Sequence, residues 1–187
     1  MKRIILFRFH KDIAVCRNRL KLLKLFNPEI KIYGLFGGTK RNWLKMSKAL
    51  KDYLDHSYMI PVKSPNWRWK NADLAIRLWY RDYGNKLEFD MLHLVEWDLL
   101  LFDNLDNIYS NVPKDGLGLS GLVPIQKIQE KWDWVSKPPY KNEWISLMNF
   151  AKRVYGYNSF PYGCIFPGTC LSKKFIAKFS KAKIPEL

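Results

Sequence analysis

The feature that most constrains the fold of this chain is the alternation of short apolar runs with helix-like segments near its start. The run from Ile4 to Phe7 is continuously apolar, which is typical of a strand covered on both faces. From Cys16 to Phe26 apolar residues recur at helical spacing, and Asn27-Pro28 ends that pattern. A second strand from Ile30 to Phe36 and a second amphipathic helix from Trp43 to Leu54 repeat the order. This alternation predicts an α/β domain with a mainly parallel sheet flanked by helices.

The same alternation continues through the first half of the chain. A third strand is predicted from Ser57 to Val62, and Asn71 is a candidate N-cap for the next helix. Gly84 is placed to end that helix, and a strand from Phe89 to Asp98 follows it. The buried stripe predicted for the helix comprises Ala72, Ile76, Trp79 and Tyr83.

The pattern after Asp103 is less regular. Gly116, Gly118 and Gly121 predict one loop, and Ser172 is a candidate cap for a last helix. The predicted anchors of that helix are Phe175, Ile176 and Phe179. Because 187 residues with 48% apolar side chains can build one sizeable core and not two, we expect a single domain over residues 1–187.

The charge of the chain is strongly basic and unevenly placed. The net charge is +15, with 14 basic and 3 acidic side chains in residues 1–54, 6 and 9 in residues 55–113, and 12 and 5 in residues 114–187. An anionic partner is therefore expected. An acidic segment between two basic ones favours a site that holds a divalent metal between the protein and a phosphorylated ligand.

The cysteines and the lengths of the apolar stretches indicate in which cellular compartment the chain is expected. Cys16, Cys164 and Cys170 are odd in number and form no C-x-x-C pair, which favours a reducing compartment and three inert thiols. No apolar stretch approaches the roughly 20 residues of a membrane span, and Arg8 and His10 cut the first apolar run too early for a signal peptide. We expect a cytoplasmic protein, either free or peripheral at the cytoplasmic membrane surface.

The acidic triplet Glu96-Trp97-Asp98 is the most informative candidate site. Residues i and i+2 of a strand point to the same side, so both carboxylates would project from the carboxyl end of a strand, where open α/β sheets bind ligands. Two such carboxylates could hold Mg²⁺ or Mn²⁺. The alternative is a solvated strand end, because Asp commonly begins turns.

A longer motif accompanies this triplet. Residues 69–80 carry the pattern W-K-N-x-D-L-x-I-R-x-W-Y, and an E-W-D strand end follows. Together these features resemble the nucleotide-sugar-dependent glycosyltransferases of the GT-A fold, and more closely a group of small glycosyltransferase-like proteins with both motifs. The resemblance covers residues 3–103 well and residues 166–172 moderately.

The resemblance implies roles for the acidic triplet and for the end of the first strand. Asp98 matches the last acid of the family's D-x-D motif and would ligate the metal, Mn²⁺ or Mg²⁺. Glu96 matches the first acid and would contact the ribose, the metal or a metal-bound water. Phe9 and His10 match the position where such enzymes hold the nucleotide base. Alternatively, Phe9 belongs to the core and His10 to a turn.

The resemblance also implies that Asp73 and Arg77 contact the base, ribose or phosphate of the nucleotide. The alternatives are a first-turn carboxylate favoured by the helix dipole and an ordinary i,i+4 ion pair. Residues 1–103 would then form the nucleotide-binding half and residues 104–187 the acceptor-side half. Glu instead of Asp at position 96, and an end at residue 187 where many such enzymes continue, leave open a truncated enzyme or an inactive relative.

No catalytic base emerges from the sequence, so the stereochemistry stays unassigned. Asp133, Glu143 and Glu186 are the acids considered in the second half. A group of aromatic residues could form a platform for a sugar ring or belong to the core. Its members are Trp132, Trp134, Tyr140 and Trp144.

The function expected from these observations is metal-dependent transfer of a sugar from a nucleotide diphosphate sugar, a UDP-sugar foremost, to an acceptor hydroxyl. The basic flanks favour an anionic glycan or a lipid-linked acceptor. Two alternatives stay open. One is a basic nucleic-acid-binding module with stacking aromatics. The other is a non-catalytic relative that serves as a partner of another enzyme.

Overall fold

The computed structural model describes residues 1–61 and 64–184, and its helices and strands alternate as the sequence predicts. The strands are β1 Arg3–Phe9, β2 Lys31–Phe36, β3 His56–Met59, β4 Met91–Glu96, β5 Leu117–Pro124 and β6 Tyr162–Ser172. The helices are α1 Ile13–Phe26, α2 Lys40–Leu50, α3 Pro65–Lys70, α4 Ala72–Asp82, α5 Leu105–Ile108, α6 Asp133–Ser136, α7 Tyr140–Tyr155 and α8 Lys173–Lys181.

The six strands form one mostly parallel sheet in the order β3-β2-β1-β4-β6-β5. β1 pairs in parallel with β2 and β4, β2 pairs in parallel with β3, and β6 runs antiparallel to β4. In this register Arg8 of β1 lies beside Glu96 of β4. The carboxyl ends of the two central strands therefore meet at one edge of the sheet.

The sheet has a hydrophobic core on each face, which explains the unalternated first run. Every residue of β1 is buried. Ile4 and Leu6 pack into the core that α4 and α8 cover, with Trp79 at its centre. Ile5 and Phe7 pack into the core that α1 and α2 cover. A strand enclosed on both sides needs apolar residues at every position.

Several predicted boundaries are confirmed, and others need correction. α1 ends at Asn27 as expected, and the Ser172 hydroxyl accepts a hydrogen bond from the backbone N of Phe175 at 3.2 Å, so Ser172 caps α8. β3 is shorter than predicted, with Val62 outside the described residues, and α3 was not predicted. Asn71 does precede α4, but its side chain donates to the carbonyl of Trp67 instead of capping the helix.

The prediction of a glycine-rich loop at residues 116–121 was wrong, because residues 117–124 form β5. Gly118 lies in this strand against β6, where an added Cβ would stand 3.0 Å from the Sγ of Cys170. Gly118 therefore permits the close approach of β5 and β6 at this position and does not mark a turn. Cys16 and Cys170 are buried as predicted, whereas Cys164 is half-buried.

The chain folds into two compact units. The first comprises residues 1–120 and 166–180, and the second comprises residues 121–165 with those that follow 180. All the predicted nucleotide-site residues lie in the first unit. No helix in the described part of the chain is both long and apolar enough to span a bilayer.

Candidate functional site

The candidate site lies where β1 and β4 end. The backbone N of Trp97 donates to the carbonyl O of Arg8 at 2.9 Å, which continues the pairing of the two strands. β4 stops at Glu96, and residues 97–98 form a turn closed by a 2.9 Å hydrogen bond from the N of Leu99 to the O of Glu96. The expectation that Glu96 and Asp98 both stand on a strand is therefore corrected, because Asp98 stands on the turn.

Glu96 forms a largely buried ion pair with Arg8. The guanidinium Nη1 of Arg8 donates to Oε1 of Glu96, and the side chains are 8% and 14% exposed. A second nitrogen of Arg8, Nη2, donates to the carbonyl O of Arg68 at 2.7 Å. The Arg68 side chain in turn donates to the carbonyl of Gly38. Arg8 thereby links both central strands to α3 and to the loop after β2.

Sequence reasoning missed Arg8, although a signal for it was present. Arg8 continues an apolar strand that is covered on both faces, and a charged side chain in such a position must find a partner. Its neighbour across the strands is the acidic residue that ends β4. Strand pairing combined with burial would have predicted the ion pair.

The charges near Glu96 have opposite effects on its pKa. Burial raises the pKa of Glu96, the Arg8 guanidinium lowers it, and the charge of Asp98 raises it further. Asp98 itself is exposed. It makes no hydrogen bond or ion pair within residues 1–61 and 64–184, so its oxygens are available to a ligand.

His10 follows β1 and shares the electrostatic field of Asp98. Burial lowers the pKa of His10, the positive charges of Lys11 and Arg8 lower it further, and Asp98 raises it. The neutral imidazole therefore predominates at pH 7. Its ring meets Trp97 edge-on at 5.4 Å between centroids, and the Nζ of Lys11 lies 5.0 Å from the Trp97 ring. His10 thus sits in a bend beside the acidic turn.

The loop after β2 approaches His10 closely. A Cβ added to Gly38 would lie 2.4 Å from Cζ of Phe36 and 2.9 Å from the carbonyl O of His10. The backbone N of Gly37 donates to the carbonyl O of Phe9 at 2.9 Å. Only glycine fits at position 38, so these loops hold the backbone around His10 in place.

Asp73 stands in the first turn of α4 and belongs to the same electrostatic group. Its side chain is exposed, and desolvation by the surrounding protein raises its pKa. Backbone hydrogen bonds and the positive charge of Arg8 lower the pKa. Arg8 is thus a cation that acts on Asp73. Arg77 donates from Nε to the carbonyl O of Phe179 in α8 at 3.3 Å.

The structure places the side chain of Phe9 in the core. It is fully buried, and its ring lies 5.8 Å from that of Phe7 and 5.3 Å from that of Phe36. The alternative that Phe9 is a core residue is confirmed. Its side chain cannot touch a nucleotide base, so any contact with a base at this position belongs to the backbone.

The donor groups present fit a divalent metal that a ligand helps to hold. No three His, Cys, Asp or Glu side chains in the described part of the chain are arranged to bind a metal by themselves. Mg²⁺ and similar hard ions, however, are commonly bound by one or two carboxylates together with water and phosphate oxygens. Asp98 and Glu96 would supply carboxylate oxygens of that kind.

The second unit does not reveal a catalytic base. Asp133 and Glu143 are exposed, Asp133 pairs with Lys137 at 3.0 Å, and Glu186 lies outside the described residues. The aromatic group is not fully buried. Trp132 and Trp144 are half-buried, and Trp134 is exposed with its ring 4.7 Å from that of Tyr140.

Comparisons with known proteins bear on the fold. No protein-family model and no curated protein matches the chain. The galactosyltransferase LgtC, crystallised with donor and acceptor sugar analogues, is similar with 15% identity and a TM-score of 0.51, over 96% of this chain and 60% of LgtC. Mouse xyloside xylosyltransferase 1 has 9% identity and a TM-score of 0.44, over 97% and 70%.

The TarS 1–349 fragment from S. aureus has 11% identity and a TM-score of 0.39, over 59% of this chain and 31% of that fragment. The chain thus spans less than two thirds of TarS and of LgtC. The likeness to LgtC confirms the predicted fold class, a GT-A-like α/β fold with a mostly parallel sheet flanked by helices.

Proposed function

We propose that this chain is a metal-dependent glycosyltransferase, which transfers a sugar from a nucleotide diphosphate sugar to an acceptor hydroxyl. The observation that supports it most is the charged cluster at the ends of β1 and β4 in a GT-A-like sheet. This cluster joins Arg8, His10, Asp73, Glu96 and Asp98 through one ion pair and mutual electrostatic effects. Ligands of open α/β sheets bind at such strand ends.

Asp98 is the proposed metal ligand, because it is an exposed carboxylate on the turn after β4 with no partner among the described residues. The metal, Mn²⁺ or Mg²⁺, would neutralise charge on the diphosphate leaving group when bound. Glu96 is proposed to contact the ribose, the metal or a metal-bound water through Oε2, since Oε1 accepts from Arg8.

Arg8 is proposed to keep the carboxylate of Glu96 charged. Burial favours the neutral acid at this position, and the guanidinium opposes that effect. An ionised Glu96 can accept a hydrogen bond from a ribose hydroxyl, which a neutral acid does less well. Arg8 therefore acts through Glu96 as a positioning residue.

The nucleotide base is proposed to lie against His10 and the backbone of Phe9, with Asp73 reading a donor group of the base or ribose. The neutral imidazole of His10 can donate one hydrogen bond and accept another. The carboxylate of Asp73, when ionised, can only accept. Arg77 is proposed to contact the phosphate or ribose, a role that competes with its bond to α8.

LgtC was crystallised with donor and acceptor sugar analogues, and its similarity in fold supports the proposal of a sugar donor and an acceptor for this chain. The basic segments at both ends of the sequence favour an anionic glycan or lipid-linked acceptor. A nucleic-acid module has no use for carboxylates gathered at a sheet edge, so we do not favour that function.

A thermal-shift experiment tests the donor site. Wild type, D98N and D52N would be screened against UDP-, GDP-, CMP- and dTDP-sugars with and without Mn²⁺. Asp52 is an exposed aspartate in the turn after α2 and serves as the matched control. A ligand at 100 times its dissociation constant stabilises the native state by about 2.7 kcal/mol, which corresponds to a rise in Tm of roughly 5–10 °C.

We expect one nucleotide sugar to raise the Tm of wild type and D52N in the presence of Mn²⁺, and D98N to lose that rise. Release of the free nucleotide in the presence of acceptor glycans then separates an active enzyme from a non-catalytic relative. A shift that is equal in D98N, or no shift with any nucleotide sugar, would contradict the proposal.

A further inference from the structure

A cavity of about 400 Å³ lies within the second unit, and its described lining includes no residue of the charged cluster. One wall is a face of α7, on which Trp144, Met148 and Lys152 follow one another at intervals of four residues. The facing walls come from residues 125–129 and 157–161. A backbone hydrogen bond of 3.0 Å from Ile125 to Pro161 joins these two segments.

Carboxamide side chains make up much of the polar lining of this cavity, and one of them, Asn158, donates from Nδ2 to the carbonyl O of Gly156 at 3.1 Å. Gln126, Gln129 and Asn149 line the cavity, and their side chains form no hydrogen bond with any residue in the ranges 1–61 and 64–184. Each carboxamide offers two N–H donors and an acceptor oxygen. Three such groups around one cavity can satisfy a ligand that presents several hydroxyl groups.

The same cavity carries aromatic rings and one cation. Trp144 is half-buried in the wall, and Tyr157 and Phe160 are 37% and 72% exposed at the rim. Among the described residues of the lining, Lys152 is the one charged side chain and none is acidic, and Lys152 forms no ion pair with any of the residues described. Residues 121–165 as a whole contain six basic and three acidic side chains.

We infer that this cavity is a binding site for an oligosaccharide that carries a carboxylate or another anionic substituent. Aromatic faces pack against the C–H faces of a sugar ring, the carboxamides match its hydroxyl groups, and Lys152 matches the negative charge. A nucleic-acid segment would call for several phosphate-binding cations, and the lining supplies one. The inference does not depend on the proposed transferase activity.

The test measures binding of an oligosaccharide to the full chain by isothermal titration calorimetry, without nucleotide or metal. The probes are hexagalacturonate, the uncharged maltohexaose of equal length, and the oligonucleotide dT6. We expect saturable binding of hexagalacturonate, and binding weaker by about tenfold for maltohexaose because the contact with the charged Lys152 is lost. dT6 is expected to bind more weakly than hexagalacturonate.

Four variants of α7 and one of the charged cluster locate the binding. K152Q and N149L alter the lining, whereas K141Q and N142L change the same residue types at exposed positions of α7 outside it. K152Q should weaken hexagalacturonate binding by about tenfold and reduce the preference over maltohexaose. N149L should weaken both saccharides, and both control variants should bind as wild type does.

D98N should retain the affinity for hexagalacturonate, which separates this site from the proposed nucleotide site. The circular dichroism and Tm of each variant establish that it is folded. The inference is overturned if neither saccharide binds saturably, if K152Q and N149L bind like their controls, if D98N abolishes binding, or if dT6 binds more tightly than hexagalacturonate.

Discussion

Acidification from pH 7.5 to pH 5 should lower the free energy of unfolding by about 2 kcal/mol through one side chain, His93. This residue of β4 is fully buried, and its Nε2 lies 3.0 Å from Nη1 of Arg3, which can only donate. Nε2 must therefore accept, and Nδ1 carries the proton without a hydrogen-bond partner among the described residues. The imidazole is held neutral in the folded protein.

The size of the effect follows from the pKa of His93 in the two states. Burial first, and then the charge of Arg3, lowers this pKa from 6.5 to about 3, while Asp106 acts in the opposite direction. A depressed folded-state pKa gives stability that is present above pH 6.5 and is lost as the pH falls toward the folded value. At pH 5 the imidazole of His93 is protonated in the unfolded state and neutral in the folded state, which lowers the free energy of unfolding by about 2 kcal/mol.

Urea denaturation at pH 7.5, 6 and 5 measures this loss, with the variant H93Q as comparison. The Gln carboxamide can accept from Arg3 and does not titrate, so H93Q should lose about 2 kcal/mol less than wild type over this range. The pKa of His10 is also lowered, and the variant H10N measures its separate contribution to the pH dependence. Equal pH dependence in H93Q and wild type would refute the reasoning, as would an NMR titration in which the imidazole of His93 becomes protonated above pH 5.

Two further predictions concern the candidate site. R8Q should lower the free energy of unfolding by about 3–5 kcal/mol, because it leaves the buried carboxylate of Glu96 without its cation. The double variant R8Q/E96Q should lose less stability than the two single variants together, and additive losses in urea denaturation would contradict a coupled pair. G38A should be destabilised by about 1–3 kcal/mol, because its Cβ would lie 2.4 Å from a neighbouring phenyl ring, and a Tm equal to that of wild type would show that the loop has room to move.

The part of the fold that the sequence predicted well is the part in which one physical signal dominates. β1 and α1 follow from burial alone, because an enclosed strand is apolar throughout and a surface helix is apolar at every third or fourth position. β5 was missed because its Gly118 was interpreted as a loop residue. A Cβ at this position would lie 3.0 Å from the Sγ of Cys170 across the sheet, a contact that local sequence does not reveal. α3 was missed because its six residues are too few to show a period.

For the candidate site, the sequence predicted the acidic residues and did not predict the part played by Arg8. The acids at the end of β4 were found because clustered carboxylates are conspicuous beside a basic background. The role of Arg8 depends on which strand lies next to β1, and chain order does not specify that neighbour. A contact between Phe9 and a base was expected from the family resemblance, with a core role as the alternative, and the structure places the Phe9 ring in the core beside Phe7 and Phe36.

The antiparallel pairing of β6 with β4 has a consequence during synthesis. β1, one neighbour of β4, is synthesised before β4, but the other edge of β4 pairs with residues 170–172, which are translated much later. Until then the strand that ends in Glu96 has open backbone groups, and these can attract the wrong partner. A slow or interrupted translation of the segment between them would expose this edge to aggregation for longer.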